Sequence, residues 1–70
     1  MAVKSDKQVR AALVVAEAKG QNPLRDVSEQ YNWACAEYRA VMDGSEGGAQ
    51  GLRDRVTNMR FHLDRLEALL

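Results

Sequence analysis

The chain has 70 residues, with ten Lys or Arg against ten Asp or Glu, one Cys, one His, one Pro and 46% hydrophobic residues. A chain this short hides only about 60% of the surface its unfolded form exposes, and a core of that size supplies roughly 3–5 kcal/mol without a staple. One Cys excludes an internal disulfide, one His with one Cys cannot close a zinc site, and zero net charge leaves no long-range field toward nucleic acid, an anionic membrane or an acidic substrate.

The first element begins with Ser5-Asp6-Lys7-Gln8, a capping box that predicts a helix over about 5–19, with Gly20 as the left-handed residue beyond its end. Val9, Ala12, Leu13 and Ala16 mark one face, and Ala11, Val14, Val15 and Ala18 spread apolar character onto the others. Such a helix wants burial on more than one side, so we expect it to pack into a groove of the remaining chain and still leave apolar surface for a second copy. A homodimer is the corresponding expectation. The run from Ala11 to Ala16 is too short for a signal-peptide core or for the roughly 18 residues of a membrane span, and no Asn has Ser or Thr two residues on. A cytoplasmic protein without membrane contact is expected.

Asn22 and Pro23 open the second helix as N-cap and first helical residue, predicting about 23–43 with Gly44 as the stop. Four of the five glycines fall in 44–51, which reads as a loop, and a third helix follows over about 52–69 with only Gly51 as a weak cap. Leu24, Val27, Tyr31, Ala34, Tyr38 and Val41 form a heptad stripe, and so do Leu52, Val56, Met59, Leu63, Leu66 and Leu70. Folded antiparallel, the stripes pair Val41 with Leu52, Tyr38 with Val56, Ala34 with Met59, Tyr31 with Leu63, Val27 with Leu66 and Leu24 with Leu70. The flanks then set Glu37 opposite Arg55, Gln30 opposite His62, Cys35 opposite Arg60 and Ser28 opposite Glu67, with no like charges in collision. The expected fold is therefore a single all-α domain: a short N-terminal helix followed by an antiparallel coiled-coil hairpin, three helices in all.

The stripes leave a few side chains unexplained, and these are the candidates for partner binding. Trp33 lies off the stripe on the same helical face as Ala36 and Ala40; it is covered by the first helix or it anchors a partner, a role in which Trp is enriched. Phe61, His62, Arg65, Ala68 and Leu69 make an amphipathic strip on the third helix that needs a cover. Cys35 reads as a small half-buried hydrophobe.

Catalytic groupings are not found. The Gly-rich stretch has no following Lys-Ser or Lys-Thr, the single His excludes His-pair metal motifs, and no Ser or Cys has a base at helical spacing. No enzyme, cofactor or metal is expected. The stretch from Leu24 to Val41 resembles a helix-turn-helix motif, with Asn32 at the turn and Ala34–Met42 as the recognition helix. That resemblance implies a DNA-binding protein with a C-terminal dimerising helix, yet Arg39 is the one basic residue its reading face offers, and DNA readers carry a basic footprint. The sequence thus points first to a small protein–protein interaction module, an accessory inhibitor or adaptor of the kind phages and mobile elements encode. The phage setting rests on small size together with the lack of catalytic groupings.

Overall fold

The computed structural model describes residues 3–70, and its regular elements are three helices: α1 (Asp6–Ala18), α2 (Pro23–Met42) and α3 (Gly48–Leu69). Local chemistry accounts for the ends of the first two. At the start of α1 the Gln8 amide donates to Ser5 Oγ at 3.3 Å while the Ser5 amide donates to Gln8 Oε1 at 2.8 Å, completing the expected capping box. Asn22 Oδ1 accepts from the Leu24 and Arg25 amides, and Pro23 occupies the first helical position, buried. Both helices stop in the same way. Gly20 and Gly44 take positive φ, and the residues after them, Gln21 and Ser45, donate back to Ala16 and Ala40 at 2.8 Å, closing two Schellman turns.

The third helix starts earlier than expected. Its N-terminus lies at Gly48, capped by Gly47 at φ 85°, so half of the anticipated 44–51 loop is helical and Gly51 sits inside the first turn. The reason is a close approach. A β-carbon on Gly48 would lie 3.0 Å from the Val41 amide nitrogen and 3.2 Å from Ala40 Cβ, and one on Gly51 would collide with the Glu37 carboxylate. Glycines that break a helix in isolation here let its first turn rest directly on the end of α2.

From that contact α2 and α3 run antiparallel, and the meeting residues reveal the register. Ala40 meets Gly48, Glu37 meets Gly51, Trp33 meets Arg55, Gln30 meets Asn58 and Asp26 meets His62. Every one of these pairs is displaced by five or six residues from the register expected from the apolar stripes, roughly 8 Å along the helix. Each helix is also rolled by about 50°, so Pro23, Val27, Gln30, Ala34 and Glu37 face Gly48, Leu52, Arg55, Met59, His62 and Leu66, all buried or half-buried. Of the expected seam, Leu24, Tyr31 and Tyr38 on α2 remain 59%, 60% and 58% exposed, and Leu63 on α3 is exposed as well. Both apolar stripes open onto one face of the hairpin.

The remaining expectation to correct concerns α1. It does not fill a groove: it touches α3 and no residue of it comes within 8 Å (Cα to Cα) of α2, among the described residues. Leu13 and Ala16 border a small recess with Pro23, Leu24 and Leu66, and the Lys4 ammonium approaches the Ala68 and Leu69 carbonyls at 3.4 and 3.5 Å, where the end of a helix favours a cation. The three helices form an elongated, flattened body, 48 × 27 × 13 Å between Cα extremes. The radius of gyration is 15.5 Å, against about 11 Å for a compact chain of this length. Ala16 and Ala34 are the buried hydrophobic residues among those described.

The two helix-start glycines should respond oppositely to substitution. Gly48→Val pushes against backbone and should lower stability by about 1–3 kcal/mol. Gly51→Ala meets only a movable carboxylate and should be neutral or stabilising by up to about 1 kcal/mol, since Ala is the better helix former. Urea midpoints of the two variants provide the comparison.

Candidate functional site

Because the apolar stripes share one side of the hairpin, the opposite side is built from the polar row that runs beside the helix contact. Asp26 lies one turn into α2, held there by the Asn22 cap. Its Oδ2 accepts from Arg65 Nη1 at 3.0 Å across the hairpin. Arg65 Nη1 also reaches His62 Nδ1 at 2.7 Å. A guanidinium only donates, so in this contact His62 Nδ1 takes the acceptor role, and the Asp26 carboxylate lies 3.8 Å from the same nitrogen.

One turn further along, the same arrangement repeats with different groups. Gln30 Oε1 accepts from Arg55 Nη1 at 3.2 Å and from Asn58 Nδ2 at 3.3 Å. Arg55 Nε is buried without a hydrogen-bond partner, but the guanidinium lies over the Trp33 ring at 5.4 Å from its centroid. Arg65 likewise stands 6.0 Å from the Phe61 centroid, and Phe61 meets the His62 ring edge-on at 5.3 Å. Each aromatic therefore has an arginine beside it, and each arginine is tied to α2 by a hydrogen bond. Cation–π contacts of this sort contribute about 0.5–1 kcal/mol at exposed sites and hold the ring in place.

The predicted partner-binding residues separate into two groups. Phe61, His62 and Arg65 are brought together, and Trp33 stands on the same side about two turns away, beside Arg55. Trp33 is 58% exposed and Phe61 is 61% exposed, so α1 covers neither. Leu69 stands apart, half-buried at the end of α3, its carbonyl approached by Lys4. Arg39 lies on the other side of the hairpin, around a groove with Tyr31, Cys35, Tyr38 and Met59. Glu37 does not pair with Arg55 as expected but rests against Gly51, and Gln30 takes its place.

Asp26 is the residue the sequence reading passed over, while Gln30 and Arg55 were expected opposite His62 and Glu37 and instead bond each other. Their signal is a second heptad row. Asp26, Gln30, Trp33, Glu37 and Ala40 repeat at 4, 3, 4, 3, and Gly48, Gly51, Arg55, Asn58, His62 and Arg65 repeat at 3, 4, 3, 4, 3. Among the described residues, no group of three or more His, Cys, Asp or Glu side chains is placed to hold a metal ion, and no helix is long and apolar enough to cross a membrane. Compared with models of protein families, with curated proteins and with solved structures, the chain matches none.

The Asp26–Arg65 link is the cross-hairpin bond most open to direct measurement. Both side chains are less than one-third exposed, so Asp26→Asn should cost about 1–2 kcal/mol after allowance for screening. A double-mutant cycle with Arg65→Ala should return a coupling of at least about 0.5 kcal/mol; additive losses would show the two to be energetically independent.

Proposed function

We propose that this protein is a non-catalytic protein–protein interaction module, an accessory inhibitor or adaptor acting in the cytoplasm without cofactor or metal. The observation that supports it is the pair of exposed aromatics, Trp33 and Phe61, each braced by an arginine that is itself bonded to the neighbouring helix. Trp and Arg are the residue types that dominate binding hot spots, and a ring already held in one orientation loses less freedom when a partner closes over it. Phe61, His62 and Arg65 supply an apolar ring, an imidazole and a cation within one helical turn of each other. A protein surface with an apolar pocket and a neighbouring acidic group complements that set.

The DNA reading finds less support. Residues 23–42 form one continuous helix through Asn32, so the turn that a helix-turn-helix needs is not there. Arg39 projects from an unbroken helix beside a groove lined by Tyr31, Cys35, Tyr38 and Met59.

Trp33→Ala and Phe61→Asp should each weaken capture of a defined partner from the source cell by tenfold or more while leaving helicity, read by circular dichroism, unchanged. Capture unaffected by both substitutions would remove this face from consideration. Duplex DNA should show no salt-dependent binding at physiological ionic strength; binding that falls with salt and with Arg39→Ala would favour the DNA reader instead.

A further inference from the structure

The polar face accounts for Trp33 and Phe61 but leaves the other side of the hairpin uncovered. Leu24, Tyr31 and Tyr38 from α2, Leu63 from α3 and Leu70 just after it stand exposed there, around grooves floored by Ala34, Leu52, Val56 and Met59. The stripe runs the whole length of both helices, far more than a scattering of single surface apolar residues. We infer that this face is the interface of a homodimer, in which two hairpins stack apolar side to apolar side as a two-layer, four-helix core.

Two quantities favour a second copy over any other occupant. The first is area. One chain exposes 5623 Å², about 1,200 Å² more than the roughly 4,400 Å² of a compact protein of 7.8 kDa. Hiding that excess on both copies buries about 2,400 Å², inside the roughly 2,000–5,000 Å² of obligate homodimers. The arrangement points the same way: α2 and α3 pack on each other while α1 touches α3 alone, and an identical chain supplies a second pair of helices of equal length and period to cover the open face.

The second is charge. The outer edge of α3 beside the stripe reads Arg53, Thr57, Arg60, Asp64, Glu67, basic at the loop end and acidic at the other. A two-fold axis crossing the helices lays α3 against a reversed α3, so the basic half of one edge faces the acidic half of its copy. With zero net charge on each chain, no overall repulsion opposes the pairing. The inference is independent of the proposed function, because Trp33 and Phe61 lie away from this interface.

Sedimentation equilibrium on the full chain at about 50 µM should return twice the 7.8 kDa chain mass. Tyr38→Glu or Leu63→Glu should return the single-chain mass or a loss of helicity that depends on concentration, whereas Trp33→Ala should stay dimeric. Cys35, on the apolar face, gives a readout that needs no variant. Its labelling by a thiol reagent should slow at least fivefold between sub-micromolar and 50 µM protein. A single-chain mass with intact helicity across that range, a higher oligomer, or a labelling rate that does not change would each overturn the homodimer, the first leaving the face to a different protein.

Discussion

The contact that sets the rest of this molecule is the seat of Gly48 on the backbone of Ala40 and Val41. A β-carbon at Gly48 would fall within 3.0–3.2 Å of that backbone and of Ala40 Cβ, so glycine lets the first turn of α3 seat directly on the end of α2, and the antiparallel register follows from that point. The contact continues through Gly51 and Ala34, with Val27, Leu52, Met59 and Leu66 beside them. Tyr31, Tyr38 and Leu63 lie outside it and stay exposed.

That arrangement gives the hairpin two faces of different chemistry. On one, Asp26, Gln30, Arg55, Asn58 and Arg65 satisfy each other across the helix contact, and two exposed aromatics rest on the arginines. Charge-assisted bonds add modest stability and a strong preference for one register, because sliding either helix by a turn would strand half-buried polar groups. On the other face the apolar side chains that should form a core have nothing to pack against within the chain. In the inferred homodimer the hydrophobic effect acts between chains as well as within one, a common answer for sequences too short to enclose a core of their own.

The position of α1 belongs to the same logic. Its apolar circumference suggested insertion into a hairpin groove, yet it contacts α3 alone and does not reach α2. It settles at the far end of α3, near Leu66, with Lys4 at the last carbonyls of that helix. Val14 and Val15 stay exposed there, at 61% and 52%. The chain is thereby elongated along α3 rather than rounded.

Capping chemistry made the helices legible in advance: Ser5 with Gln8, Asn22 with Pro23, and Gly20 and Gly44 as stops all act within a few residues of chain, so sequence alone defines them. The third start was misjudged because glycine favours a loop locally, whereas at Gly48 its value lies in contact with a distant backbone. Helical spacing also identified both apolar stripes and the Phe61, His62, Arg65 cluster, since residues three and four apart share a face whatever surrounds the helix. Which face turns inward was another matter. Two heptad rows run side by side along each helix, one apolar and one small or polar, and periodicity cannot rank them. Tertiary structure turned the boundary between the two rows inward, keeping Val27, Ala34, Leu52, Met59 and Leu66 in the contact and leaving Leu24, Tyr31, Tyr38 and Leu63 outside, because close packing depends on the shape of both partners at once while a sequence pattern describes only one.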